Sequence, residues 1–348
     1  MRVQTLWGER DDATHDHGSC SDRGRRTRDC RAEGRLSMNP PSQARRAPSH
    51  LHVLYRTHPG SNNKSRPPWY TRGVALSSLR LALEAVSTPT TITFIEDGGL
   101  PPDLEPLIRP NERIIHIHAG TVASSYRKAV RVAQRLAKRD DGNSLYWIAE
   151  GDYLYRPTAM LSLVKAALLA PAGTCFTLYK PDDRQWHASH PSQPLRPVPQ
   201  LEQPFVCAGL TWQRISSSTS TVGMMTSDVL TDARTLRLVS FTGAPFDGPC
   251  YLVCQGISPY DLGHLFADID AGSGPRALAK AVVKPAMRVT CNALAARHRR
   301  SDRVVLSPET DLATHMEIGN MSDDYDWAAL ADWVVKGGQP TASPHVIN

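Results

Sequence analysis

The chain has 348 residues, 21% charged and 41% hydrophobic, the balance of a soluble globular protein with room for one large domain or two small ones. Its formal net charge is +6, and the first 50 residues, with ten Arg against seven Asp and Glu, hold +3 of it. The remainder is too mild for a nucleic-acid groove, so no nucleic acid is expected as a partner.

No run reaches the roughly 18 apolar residues of a membrane span, and no transmembrane segment is expected. The N-terminus carries Arg without an apolar stretch behind it, unlike a secretory signal. The seven cysteines are odd in number and lack a CxxC pair, which argues against a disulfide framework and a zinc ribbon. A reducing, cytoplasmic setting is the expectation. Cys250 and Cys254, four apart, read as two small buried residues on a helix face.

Residues 1–49 are rich in Arg, Asp, Ser and Gly, lack hydrophobic periodicity and are expected to form a disordered basic tail. Met38, shortly before the first strand, is an alternative start with 1–37 as an extension. A single domain is expected over 50–335, with a nucleotide-binding half (50–183) and a less regular acceptor-side half (184–335). The last residues, 336–348, are expected to fray.

Leu51–Tyr55 reads as the first strand, followed by a loop from Arg56 to Trp69 full of Pro, Asn, Ser and Gly. Thr71–Val86 places Leu76, Leu79, Leu83 and Val86 on one helical face. Thr90–Ile95 is a second strand ending in Glu96-Asp97-Gly98-Gly99, and Arg113–His118 a third ending in Ala119-Gly120. The helix expected over Ser124–Arg139 turns Tyr126, Val130, Ala133 and Leu136 inward. Its Arg127, Lys128, Arg131, Arg135 and Lys138 form a solvated face. Leu145–Ala149 is the fourth strand, apolar throughout, and stops at Glu150-Gly151-Asp152. Thr158–Ala170 follows as a buried helix and Thr174–Tyr179 as a fifth strand, ending in Lys180-Pro181-Asp182-Asp183.

In the second half, Arg184–Pro204 is a Pro/His/Gln-rich loop. Leu210–Ile215 and Ser218–Met225 look like two strands paired with each other, and Ser216–Thr221 like a solvent-facing hairpin. Helices are expected over Ser227–Leu236, from Asp247 to Gln255, and over 275–298. Arg303–Leu306 is a short strand, and a last helix follows Trp327.

Strands alternating with helices predict an α/β fold with a mostly parallel central sheet flanked by helices. Ligands of such sheets bind at the carboxyl ends of the strands, where Glu96, Asp97, Glu150, Asp152 and Asp182 all fall. Glu150 and Asp152 are two apart at a strand exit and point to one side. Gly151 between them leaves room for a tight turn and a ligand. Two converging acids repel unless a cation separates them, and hard oxygen ligands suit Mg²⁺ or Mn²⁺. The competing reading is an ordinary acid–Gly–acid turn.

"ITFIEDG" (92–98) and "YWIAEGDYLYRP" (146–157), set in this βα pattern, resemble the second strand and the metal-binding DxD strand of a GT-A glycosyltransferase close to the family-2-like group. The resemblance covers about 130 residues, with Glu150 in place of the first Asp of DxD, and "HAGTVASSYRKA" lacks the Asn usual at that junction. It implies transfer of a sugar, with inversion, from a nucleotide-diphosphate-sugar to the hydroxyl of a glycan, lipid or small molecule. It also implies donor contacts from Arg56, Thr57, Glu96 and Asp97, and a metal held by Glu150, Asp152 and a returning His315. Glu317 lies two residues beyond that His. Asp247 is the implied general base, with Asp182 and Asp183 as rivals. Asp247-Gly248-Pro249 reads equally as a helix cap, and a lone His is more often a packed residue. Trp147, Trp186 and Trp212 are candidates for stacking on sugar, with core packing the default for Trp147.

Two other functions compete. A nucleotidyltransferase shares acids at a sheet edge but wants a Gly-rich, basic loop after the first strand, of which 60–66 is a poor version. A non-catalytic nucleotide-sugar-binding protein would keep the pocket without turnover.

Overall fold

The computed structural model describes residues 46–60, 64–180, 197–218, 220–242, 246–265, 275–299 and 302–337. The expected tail up to residue 45, Asp182, Asp183, Trp186 and the frayed end from 338 lie outside the described residues.

The first half alternates as its periodicity predicts. β1 (His50–Thr57) leads into α1 (Arg72–Glu84), then β2 (Thr90–Asp97) and β3 (Arg113–Ile117). α2 (Val122–Ala137) and β4 (Ser144–Glu150) follow, then β5 (Tyr153–Tyr155), α3 (Ala159–Leu169) and β6 (Thr174–Phe176). The second half adds β7 (Phe205–Cys207), β8 (Leu210–Arg214) and β9 (Val222–Met225). α4 (Thr226–Val239), α5 (Asp247–Cys254), the short α6 (Leu262–Leu265) and α7 (Pro275–His298) come next. β10 (Val304–Pro308), β11 (Ala313–His315) and α8 (Trp327–Val335) complete it.

One nine-stranded sheet has the order β3-β2-β1-β4-β9-β6-β10-β8-β7. β3, β2, β1 and β4 are mutually parallel. β9 runs against β4 and β6, and β8 against β10 and β7. All strands but β9 and β8 therefore point the same way, as expected for the fold class. The expected pairing of the two strands around 210–225 is corrected: β8 pairs with β10 and β7, and β9 is inserted between β4 and β6. A hairpin pattern cannot reveal that distant strands intervene. The hydroxyl run is corrected too. Ser216, Ser217, Ser218, Ser220 and Thr221 are buried, because this connection crosses between two sheet strands instead of leaving the sheet.

Alternation along β1 separates the two cores. Val53 and Tyr55 face one core with Leu76 and Leu79 of α1, Trp147 of β4, and Met160 and Leu163 of α3. Leu54 faces the other with Tyr126 and Val130 of α2, Ile148, Met224, Val229 and Leu236 of α4, and Cys250 of α5. Covered on both faces, β4 reads as a continuous apolar run. Cys250 and Cys254 are buried and in no disulfide, as expected. Trp147 and Trp212 are both buried in the core, not presented for stacking.

A smaller sheet pairs β5 with β11, antiparallel, with His315 opposite Tyr153. Leu154, Met316, Trp327 and Leu330 pack beneath it against Val74 and Ala75 of α1. This sheet folds the far end of the chain onto the exit of β4.

Candidate active site

After β1 the chain builds β2 and β3 on one side, then crosses back to lay β4 on the other. The carboxyl ends of β1 and β4 thus border the crevice where strand order reverses, the usual ligand position in open α/β sheets. Arg56 and Glu150 are register partners there. Arg56 Nη1 donates to Glu150 Oε1 at 2.9 Å, Nη2 donates to the Val122 carbonyl at 3.0 Å, and the guanidinium lies 5.6 Å from the Tyr126 ring centre. Burial pushes the Glu150 carboxyl up, with Asp152 adding to the shift and Arg56 opposing it.

Gly151 makes the turn possible. A Cβ there would lie 3.2 Å from the Arg56 carbonyl, 3.4 Å from Tyr55 Oη and 3.5 Å from Thr57 Oγ1. Both of those hydroxyls are buried and have no hydrogen-bond partner among the described residues.

Asp152 gathers the most charge. Arg66 Nη2 donates to its Oδ2 at 2.9 Å, His315 Nε2 is 3.0 Å away and Lys64 Nζ 3.7 Å. Burial works against ionisation, but His315, Lys64 and Arg66 outweigh it and hold the carboxyl well below the usual range. Glu317 completes the cluster, with Oε2 3.0 Å from Lys64 Nζ and 3.3 Å from His315 Nδ1. The late segment is clamped by backbone bonds. Met316 N donates to the Asp152 carbonyl at 2.9 Å, Ile318 N donates to the Ser65 carbonyl at 2.8 Å, and Arg66 Nη1 reaches the Met316 carbonyl at 2.6 Å.

The structure therefore brings Arg56, Thr57, Glu150, Asp152 and His315 to one edge. Glu96 and Asp97 end the neighbouring β2 with their oxygens engaged. Glu96 accepts from Gly99 N and contacts His116 Nδ1. Asp97 accepts from Ala119 N at 2.6 Å and from Gly120 N at 3.1 Å, tying β2 to the turn before α2. Asp247 opens α5, and the preceding Phe246 stacks on Tyr126 at 5.2 Å between ring centres. This contact ties the start of α5 to α2 within the core. Lys64, Arg66 and Glu317 are the participants that sequence reasoning undervalued. The signal was Lys64-Ser65-Arg66 ahead of Pro67-Pro68, two cations on a stiffened loop directly after β1.

Asp152, His315 and Glu317 are carboxylate, imidazole and carboxylate, and the unpartnered Thr57 hydroxyl lies beside the acid turn. This donor chemistry fits a hard divalent cation. Among the described residues no three His, Cys, Asp or Glu side chains stand preassembled around a metal position.

No family model matches the chain, and no curated protein matches it. Solved structures of similar shape include 4-diphosphocytidyl-2C-methyl-D-erythritol synthase, at 12% identity and TM-score 0.35, covering 69% of this chain and 98% of that one. Another is glucosyl-3-phosphoglycerate synthase from Mycobacterium tuberculosis with Mn²⁺, uridine diphosphate and glucosyl-3-phosphoglycerate, at 10% identity and TM-score 0.30, covering 51% of this chain and 57% of that one. A third is CMP:2-keto-3-deoxy-manno-octonic acid synthetase complexed with CTP, at 11% identity and TM-score 0.29, covering 54% and 78%. Among the described residues no helix is long and apolar enough to cross a membrane.

Proposed function

We propose that this chain is a GT-A-type glycosyltransferase that moves a sugar from a nucleotide-diphosphate-sugar to an acceptor hydroxyl with inversion. The observation that carries the reading is the convergence of Arg56, Lys64 and Arg66 with Glu150, Asp152 and His315 in the crevice between β1 and β4. A diphosphate needs fixed positive charge, which Lys64 and Arg66 on the clamped loop would supply, with Arg56 holding Glu150 behind them. Thr57 Oγ1 and Tyr55 Oη, without hydrogen-bond partners among the described residues, lie beside the Gly151 turn. Glu96 and Asp97 shape the neighbouring wall, where the nucleoside would lie.

Asp152, His315 and Glu317 are the residues that would hold Mn²⁺ or Mg²⁺, with Glu150 committed to Arg56 behind them. A bound cation supplies neutralisation of charge on the departing diphosphate. Asp247 is the proposed base. Its carboxylate takes the acceptor hydroxyl proton as the new carbon–oxygen bond forms and the bond to the diphosphate breaks.

A nucleotidyltransferase is favoured by one specific observation: the basic loop after β1 reaches Asp152 through both Lys64 and Arg66. The test offers two substrate panels with Mn²⁺. Nucleotide-sugars with simple acceptors report on nucleoside diphosphate release, and nucleoside triphosphates with sugar phosphates on pyrophosphate release. The proposed reading expects diphosphate release that is lost in Asp152→Asn. Pyrophosphate release instead installs the second reading, and binding without either product leaves a nucleotide-sugar-binding protein.

A further inference from the structure

Charge is unevenly spread along the chain. Residues 271–301 hold seven Arg and Lys and no Asp or Glu, which is +7 in a chain whose net charge is +6. All other residues together therefore sit at −1. The segment is α7, 24 residues from Pro275 to His298, with its exit. An exposed helix that only meets water normally mixes both signs, so a block of one sign marks an anionic partner.

α7 is anchored to the body by its second half. Arg288, Cys291 and Ala295 are buried there. Arg288 Nη1 donates to the Leu265 carbonyl at 3.3 Å, and its guanidinium lies 5.3 Å from the Tyr260 ring centre. Ahead of that anchor, residues 281–287 are all exposed or half-buried. Val282 is 66% exposed, Val283 56% and Val289 52%. Val282, Ala286, Val289 and Ala293 are all exposed, and their spacings of four and three set them in one stripe along the helix. The neighbouring α6 adds Leu262, 82% exposed. β-branched residues are middling helix formers, so valines facing outward in a row serve neither the helix nor the core.

Cations and bare apolar side chains on one helix suit an anionic lipid surface. Headgroups accept Lys and Arg at many positions, because their long stems snorkel, and the acyl boundary accepts the valines. Nucleic acid offers the charge but no apolar layer for the stripe. A second copy of α7 would set like charge against like. We propose that α7 seats the protein on an anionic lipid surface, with Val282, Val283 and Val289 at the acyl boundary and Lys284, Arg297 and Arg299 among the phosphates. The protein is then held at the surface without a spanning helix. A row of valines and alanines inserts little apolar area, so charge supplies most of the affinity and salt weakens it. The contact uses no residue of the crevice and stands apart from the proposed transferase reading.

The test is flotation of the full chain with large vesicles, either phosphatidylcholine alone or an equal mixture with phosphatidylserine, at low and high salt. Wild type should bind the anionic vesicles, release them at high salt and ignore the neutral ones. Lys284→Gln/Arg297→Gln/Arg299→Gln should bind about a hundredfold more weakly, at roughly fivefold per cation near such a surface. Val282→Gln/Val289→Gln keeps every charge and should bind about tenfold more weakly, through lost apolar burial. All five positions are exposed or half-buried, and thermal melts matching wild type confirm folding. No binding by wild type, or binding by either variant equal to that of wild type, overturns the proposal. Two controls use the same proteins. Self-association of wild type that Val282→Gln/Val289→Gln abolishes, seen by sedimentation velocity, makes the stripe a contact between copies and overturns it as well. So does binding to single-stranded RNA that is tighter than binding to the anionic vesicles.

Discussion

Glu150 and Asp152 share a turn but not a role. Glu150 sits opposite Arg56 in the parallel register and bonds to it at 2.9 Å, so its charge is spent inside the sheet edge. Asp152 faces outward to His315, Lys64 and Arg66. Asp152→Asn should therefore abolish Mn²⁺-dependent nucleoside diphosphate binding with the fold intact. Glu150→Gln should weaken it less, as measured by calorimetry on both variants. Equal losses would place Glu150 in direct contact with the ligand. Gly151 makes a separate point at the same scale. Gly151→Ala must push the β4 exit away from the Arg56 carbonyl, only 3.2 Å from the new carbon. The expected result is a stability loss of about 1 kcal/mol, the low end for overpacking, with a larger relative loss of nucleotide affinity. An unchanged affinity would show that the crevice tolerates the shift.

Elements bring these residues together through their ends. α1 starts at Thr71, whose hydroxyl accepts from Val74 N at 3.0 Å, and Thr71→Ala should cost about 1 kcal/mol in a denaturant titration. α5 ends in a Schellman motif, in which Gly256 N donates to the Val253 carbonyl and Ile257 N to the Leu252 carbonyl. Gly256 has φ +73° and packs on the end of α7, where a Cβ would come within 2.6 Å of Arg299 Cα. Gly256→Ala should cost about 3 kcal/mol, combining left-handed strain with a backbone clash. Gly319→Ala, at φ +89° with nothing within 4 Å, should cost only the strain. Equal midpoints for the two variants in urea would refute the packing argument. The smaller sheet matters most at this scale. β5 and β11 have three residues each, too short for any periodicity, yet their pairing sets His315 against Asp152.

For the whole molecule, a second set of buried charges lies apart from the acid turn. Asp228 and Asp232 of α4 share Arg303 beneath the sheet. Burial, with Asp228 adding to it against the pull of Arg303, pushes the Asp232 carboxyl up to about 7. Its unfolded value is near 3.9, so between about pH 4 and about pH 7 the folded protein holds more protons than the unfolded chain. Stability should therefore fall as pH rises through that window and flatten above it. Asp232→Asn removes this linkage, and calorimetric melts of the variant should show a smaller drop in Tm from about pH 5 to about pH 7.5 than wild type. Parallel curves for the two proteins would mean that Asp232 is ionised throughout.

Periodicity and turn chemistry in the sequence determined β1 to β4, the faces of α1 and α2, the α/β class and the acid turn at Gly151. These are local signals, since a strand exit or a helix face depends on residues within a few positions of one another. The packed chain alone decided which charges meet. His315 lies 163 positions from Asp152, and nothing in the intervening residues encodes that distance. Lys64 and Arg66 looked like a poor phosphate loop because the sequence reading weighed their glycine content. The fold uses their charge instead, with Ser65 bonded to Ile318 and Arg66 to Met316. The 210–225 strands and the hydroxyl run were misplaced for the same reason. Strand order is set by which apolar faces the assembled sheet must cover, and a short strand carries no record of its neighbour.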